Sequence, residues 1–191
     1  MTSIDPDANN EIIRFEDGRY FGEVRGDIRH GRGKFTFWGG GEYEGDFHLD
    51  KMQGEGTFRY KNGDVYVGSW KGGIRSGFGR IEYESGDSFE GNWSSDRKNG
   101  KGAHHFGDGG RYVGTWKDDE HLPGGKYYSE EGDRYEGDLE GMRRHGSGIS
   151  KNADGSIYEG EWSDNQMNGD GTLTYRNGGV FEGRFRDGAR D

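Results

Sequence analysis

Residues 66–86 read Tyr66-Val67-Gly68-Ser69-Trp70-Lys71-Gly72-Gly73-Ile74-Arg75-Ser76-Gly77-Phe78-Gly79-Arg80-Ile81-Glu82-Tyr83-Glu84-Ser85-Gly86. Tyr66, Gly68 and Trp70 recur at every second position, so they share one face of an extended strand. The polar, glycine-bearing residues 71–76 read as a turn. The alternation then resumes, with Gly77, Gly79, Ile81 and Tyr83 on one face of a second strand. Ser85-Gly86 closes the stretch as a short return turn with positive φ at the glycine. The unit is a β-hairpin. Its glycines are expected to make room for rings, because an aromatic side chain lies flat over backbone only where no Cβ intervenes, and Gly68, Gly77 and Gly79 are placed to allow this.

The same pattern extends in both directions with a period of 23 residues. The leading aromatics are Tyr20, Tyr43, Tyr66, Phe89, Tyr112, Tyr135, Tyr158 and Phe181, each followed two residues later by glycine. A large apolar residue stands two further on: Val24, Phe47, Trp70, Trp93, Trp116, Leu139, Trp162 and Phe185. A fixed period of this length marks an array in which each unit contacts only its neighbours. A lone hairpin is marginal in water, and stacking buries the shared aromatic stripe. The expected fold is all-β: consecutive hairpins in a single-layer antiparallel sheet, solenoid-like and elongated, of order 75 Å for eight repeats at ~4.8 Å per strand. No segment carries a helical apolar period.

Composition agrees once register is considered. Only 27% of the residues are hydrophobic and 32% are charged, values that by themselves suggest disorder. The 14% of aromatics and the 40 glycines fall in register, which makes them structural positions. A formal net charge of −10 argues against nucleic acid and anionic membrane lipid as bulk electrostatic partners. With no cysteine, disulfides, thiol catalysis and cysteine-based zinc sites drop out. No apolar run approaches the roughly 20 residues that span a bilayer, and no signal-peptide pattern opens the chain, so the expected setting is the cytoplasm.

The run Tyr158-Glu159-Gly160-Glu161-Trp162, followed by Asn168-Gly169-Asp170-Gly171 and Tyr175-Arg176-Asn177-Gly178, resembles the MORN (membrane occupation and recognition nexus) repeat. The resemblance divides the chain into an acidic leader, 1–11, and an array, 12–191. The array comprises a half hairpin at 12–17, seven full repeats over 18–178 and a terminal half repeat at 179–188. It implies an elongated, twisted single sheet. Stand-alone MORN arrays are similar to scaffolds of cytoskeletal, ciliary and flagellar assemblies such as axonemal radial spokes. The resemblance thus implies a non-enzymatic, protein-binding role in the cytoskeleton, with cytoskeletal or axonemal proteins as partners and no cofactor. Relatives that carry a kinase or methyltransferase domain are longer than this chain allows. The family's name suggests the alternative of a membrane-associated adaptor for phospholipids or membrane-skeleton proteins.

Several positions are candidates for contact with partners. The outward position after each leading aromatic holds Glu44, Glu90, Glu136, Glu159 and Glu182, with Glu23, Asp46, Asp138 and Glu161 two further on. These read as an acidic ladder. The turns carry Arg29, Lys51, Arg75, Arg97, Lys98, Arg143 and Arg144, which read as a basic ridge. The pattern thins at residues 120–152. Pro123 replaces a glycine, Ser129 a late aromatic, Leu139 the tryptophan, and Ser150 and Asn152 a late hydrophobic pair. Either the core is locally thinner there, or the stretch is a bend or docking site. Phe185 lies on the last leading strand, which has no following strand to pair with in this reading, so edge-strand or end-to-end self-association is a further expectation.

Catalysis finds no support. Matches such as Gly54-Glu55-Gly56 arise from the repeat and open no helix. The histidines lack metal spacing, and Gly146-Ser147-Gly148 lacks the strand-to-helix context of a nucleophile elbow. Asp5, Asp7, Asn9 and Glu16 fall at calcium-loop positions, but Asn10 replaces the required glycine and Pro6 intrudes, so the match reads as coincidence in an acidic leader.

Overall fold

The computed structural model describes residues 12–191. They form one open antiparallel sheet of eighteen strands, with no helix among the described residues. The described residues separate into two compact units, 12–100 and 101–191. The first holds β1 (Ile13–Arg14), β2 (Gly18–Arg25), β3 (Ile28–Phe37), β4 (Glu42–His48), β5 (Lys51–Arg59), β6 (Val65–Lys71), β7 (Ile74–Glu82) and β8 (Ser88–Ser94). The chain passes from one unit to the other within β9 (Arg97–His105). The second holds β10 (Arg111–Lys117), β11 (Glu120–His121), β12 (Lys126–Tyr128), β13 (Arg134–Glu140), β14 (Arg143–Lys151), β15 (Ile157–Ser163), β16 (Gln166–Thr174), β17 (Val180–Arg186) and β18 (Ala189–Arg190). The hairpins expected from residues 66–86 are present: β6 pairs with β7 and β7 with β8.

The core is a row of interlocked rings on one face of the sheet. Tyr66 is fully buried because its ring lies over Gly79 of the facing strand, where a Cβ would meet its hydroxyl oxygen at 2.2 Å. The same pairing joins Tyr20 to Gly33, Tyr43 to Gly56, Tyr135 to Gly148 and Tyr158 to Gly171. Each phenol then donates a hydrogen bond to the carbonyl three residues ahead, as in Tyr43 Oη to Asp46 O at 3.1 Å and Tyr135 Oη to Asp138 O at 2.8 Å. The tryptophans tie one repeat to the one before. Trp70, Trp93, Trp116 and Trp162 donate from Nε1 to the carbonyls of Gly56, Gly79, Gly102 and Gly148. Edge-on contacts complete the row, with Tyr43–Trp70 at 5.3 Å and Tyr66–Trp93 at 5.4 Å. Such pairs add to simple area burial.

Gly77 departs from expectation. Its nearest neighbour is the Ser69 side chain and no ring covers it. It sits where the pairing shifts between Gly68 and Trp70, with φ at +92°. Its role is backbone conformation in a β-bulge. The turns between paired strands also use left-handed backbone, at Leu49 and Asp50, Ser95 and Asp96, and Asp164 and Asn165, as two-residue hairpin turns with right-handed twist require. Asp50, Asp96 and Asn165 turn this conformation into a link: each accepts a hydrogen bond from the backbone N–H of Arg29, Arg75 or Arg144, 21 residues earlier.

Two parts of the pattern differ from the rest. In the repeat that begins at Tyr112 the second strand is split, with β11 pairing only Trp116↔His121 and Lys117↔Glu120, and β12 resuming opposite Val113. Pro123 occupies the gap, as a residue without an N–H to donate must. The Tyr112 hydroxyl accordingly donates to Leu122 O and not three residues ahead. At the C-terminal end, the expectation that β17 has no following partner is corrected. Asp187 and Gly188 reverse the chain, and β18 pairs Phe185↔Arg190 and Arg186↔Ala189. Arg186 and Asp191 close the reversal with an ion pair at 2.9 Å, and Arg190 lies over the Phe181 ring at 5.2 Å.

The buried phenols make the fold sensitive to alkali. Burial first, and nearby carboxylates second, push Tyr20 and Tyr135 up to about 12 from an ordinary value near 10. Both groups are neutral in the folded chain at a pH where the unfolded chain already ionises. Their contribution is therefore complete below pH ~10 and is lost as the pH rises toward 12. Tyrosinate absorbance and far-UV circular dichroism, followed together, should change in one cooperative step in this window. Stepwise tyrosinate formation at an ordinary pKa with the sheet intact would contradict it.

Candidate partner-binding site

Of the ring positions expected from sequence, Tyr20, Tyr43, Phe47, Tyr66, Trp70, Phe89, Trp93, Tyr112, Trp116, Tyr135, Tyr158 and Trp162 are buried. Phe181 is half-buried. The ring face is thus covered by its own side chains and offers no continuous aromatic platform. Phe185, a candidate for partner contact, belongs to this core: it is 3% exposed and packs edge-on against Tyr158 at 4.9 Å.

The expected basic ridge splits into two kinds of side chain. Arg29, Arg75, Lys98 and Arg144 fold onto the rings. The Arg75 guanidinium lies 4.3 Å from the centre of Trp93, and that of Arg144 lies 4.3 Å from Trp162. These are cation–π lids over the core. Arg143 points outward and pairs with Asp164 at 2.8 Å. The lids differ in charge balance. Arg29 is paired with Asp50 and Arg75 with Asp96, whereas Arg144 meets the neutral Asn165. Burial pulls the Arg144 pKa below the ordinary arginine value, although it remains a cation.

The ladder of carboxylates on the opposite face is also divided by its neighbours. The candidates Glu44, Glu90, Glu136 and Glu159 are exposed and Asp46 is half-buried. In the register across the strands, Lys34 stands opposite Glu44, Arg80 opposite Glu90 and Lys126 opposite Glu136. Lys126 and Glu136 form an ion pair at 3.0 Å, and Asp46 is 3.6 Å from Arg32. The acidic track of the sequence reading is therefore a mixed row, because the second strand of each repeat supplies the residues between the glutamates.

An opening breaks the ring face in the second unit, where the sequence pattern lapses. It is a hollow of about 380 Å³ whose walls include Phe106, Tyr127, Tyr135 and Arg144, with Ser129 and Ser150 at the positions of lost hydrophobic side chains. In the first unit the equivalent positions hold rings: Phe37 stacks on Phe58 at 5.4 Å, and Phe58 on Tyr60 at 4.3 Å. Ser129 and Asn152 occupy the positions of Phe37 and Tyr60. The space left has the size of a small ligand pocket. Fully buried Ser150, in its wall, is held from behind: it donates to Asn152, which donates to Ser156, which donates to Asp154. Pro123 lies outside the hollow, and Asp108, Asp133 and Asn165 line it although the sequence reading did not select them. They come from loops and turns, where alternation gives no facing. The calcium-loop candidates Asp5, Asp7 and Asn9 lie outside the described residues, and Glu16 is exposed.

A family model described as the MORN repeat matches residues 20–40, 43–65, 66–88, 89–111, 135–157 and 158–180. The chain belongs to the MORN-repeat family. The model passes over residues 112–134, which contain the split strand and Ser129. Among curated proteins, no sequence relative matches this MORN array. Solved structures that share its fold at low identity include two domains of CPAP proteins. The TCP domain of SAS-4 (dCPAP) of Drosophila melanogaster, in complex with a proline-rich motif of Ana2 (dSTIL), is 14% identical with a TM-score of 0.52, covering 97% of each chain. The G-box domain of the microcephaly protein CPAP is 10% identical with a TM-score of 0.51, covering 92% of this chain and 99% of that one. Likeness at these identities concerns the fold alone.

Proposed function

We propose that this MORN array is a non-enzymatic scaffold that binds extended segments of protein partners within a cytoskeletal assembly. The observation that carries the reading is the hollow in the second unit. The backbone register persists through residues 129–152 while the rings that should fill it are absent, so a partner's side chain can take their place. Phe106, Tyr127 and Tyr135 supply apolar walls, and Arg144, which meets Asn165 where the other lids meet an aspartate, places a cation there beside Asp133. A hollow with aromatic walls and charged groups at its margin suits a hot-spot contact. The repeats themselves provide rigidity and spacing for further contacts. The named partner of the similar SAS-4 domain, a proline-rich motif of Ana2, supports an extended segment as the kind of ligand. The finer placement, an axonemal or radial-spoke component of a cilium or flagellum in the cytoplasm, rests on the resemblance to stand-alone MORN scaffolds.

The test is to fill the hollow. Ser129→Tyr puts a ring where the first unit has Phe37, leaves the Ser150–Asn152 hydrogen bond in place, and should raise stability by about 1 kcal/mol, as cavity filling commonly does. Affinity purification from a cytoskeletal extract with native and filled chains should then lose a defined set of partners from the filled one. Identical partner sets from both chains, with the filled chain folded, would overturn the assignment of the hollow.

A further inference from the structure

On the face opposite the rings, the register of the second unit brings three cations into one row. Arg111 stands opposite Tyr128, Tyr128 opposite Arg134, Arg134 opposite Lys151 and Lys151 opposite Ile157. The four side chains from Arg111 to Lys151 span about 15 Å at ~4.8 Å per strand. The three cations are exposed, and the Arg111 guanidinium rests over the Tyr128 ring at 4.6 Å. Like charges placed directly across two strands are destabilising, yet Arg134 and Lys151 are so placed. None of the three forms an ion pair with a described residue, whereas Lys34, Arg80, Lys126 and Arg184 on the same kind of face all do. The equivalent row of the first unit reads Arg19, Thr36, Glu42, Arg59, Val65, Glu82 and Ser88, with mixed charge. The cationic row is thus particular to the second unit, within a chain of net charge −10.

We propose that Arg111, Tyr128, Arg134 and Lys151 form a docking strip for an acidic, extended protein segment laid across the strands. An incoming run of carboxylates would relieve the Arg134–Lys151 repulsion, and Tyr128 and half-exposed Ile157 add apolar contact along the same line. The width of the strip selects among anions. The next row over carries Glu136 and Glu159. A lipid surface or a nucleic acid duplex would press on these carboxylates, while a single extended chain fits in the cationic row alone. The strip and the hollow lie on opposite faces, so one can fail without the other.

The experiment is fluorescence anisotropy of a fluorescein-labelled, Glu-rich peptide titrated with the full chain. A Lys-rich peptide and phosphatidylserine-containing vesicles serve as the other probes. Saturable binding of the acidic peptide that weakens with added salt is expected. Arg134→Gln with Lys151→Gln should weaken it by at least about tenfold, with a melting temperature unchanged or raised because a like-charge pair has been removed. Ser129→Tyr should leave it unaltered. Three results would each overturn the proposal: no saturable binding of the acidic peptide, equal affinity for the double variant, or binding of the vesicles without the peptide.

Discussion

Replacing Trp93 with alanine will destabilise the first unit by about 3–5 kcal/mol, the range for deleting a buried aromatic. The indole is 4% exposed and meets Tyr66 and Phe89 edge-on, each at 5.4 Å. The Arg75 guanidinium covers it at 4.3 Å, and its Nε1–H bonds to Gly79 O at 3.0 Å. Trp93→Ala therefore removes ring packing, a cation–π contact and a bond between consecutive repeats at once. Trp93→Phe keeps most of the packing and loses the hydrogen bond, at about 1 kcal/mol. Denaturant unfolding gives the totals, and amide hydrogen exchange over residues 66–93 shows where the loss falls. In a linear array it should fall on adjacent repeats. Equal losses for the two variants would mean that the ring contributes little beyond its N–H.

Alanine at Gly79 should be nearly as damaging, at about 3 kcal/mol, through overpacking and a broken hydrogen bond. The new methyl would stand 2.2 Å from the Tyr66 hydroxyl oxygen and 2.5 Å from Cζ. The ring must lift, and the bond from Tyr66 Oη to Ser69 O at 3.2 Å is lost as it does. Gly39 provides the control, since a Cβ there meets nothing within 4 Å. Gly39→Ala should change stability by less than about 0.5 kcal/mol. Adding Tyr66→Phe to Gly79→Ala should recover only part of the loss, because the ring carbon remains in the way. Comparable unfolding midpoints for Gly79→Ala and Gly39→Ala would refute the packing of phenol on glycine as the basis of the fold.

Much of this architecture was legible in the sequence. The period placed every leading aromatic, and alternation placed its glycine and its Trp on the same face. Pro123, Ser129, Ser150 and Asn152 marked the stretch where the strand splits and the hollow opens. What escaped notice shares a physical cause. Alternation tells which face a side chain leaves from, but not what stands beside it on the next strand. That depends on register, and each well-formed hairpin shifts its register at a bulge between the glycine and the Trp position. Hence the glutamates, a ladder when read down the repeats, stand in the sheet beside Lys34, Arg80 and Lys126. The row of Arg111, Arg134 and Lys151 escapes such a reading in part for the same reason: Arg111 and Arg134 share one repeat position, but Lys151 sits at another, and only register brings it opposite Arg134. Long side chains add a second source of error. Arg75 and Arg144 belong to turns by sequence, but their flexible stems let the guanidinium reach back over an indole.

The sequence by itself determined the repeating unit, its hairpin form, the side on which the rings lie and the place where the repeats lose their rings. These follow from local rules: strand periodicity, the backbone freedom of glycine and the bulk of aromatic side chains. The tertiary structure decided that the ring face is closed by its own arginines, that Phe185 is buried and followed by one more strand, and that the lapses at Ser129 and Ser150 join in one hollow beneath Arg144. It also set three cations in one row on the other face. Each of these depends on strand register and on where a long side chain comes to rest, and both are fixed only when neighbouring repeats pack against one another.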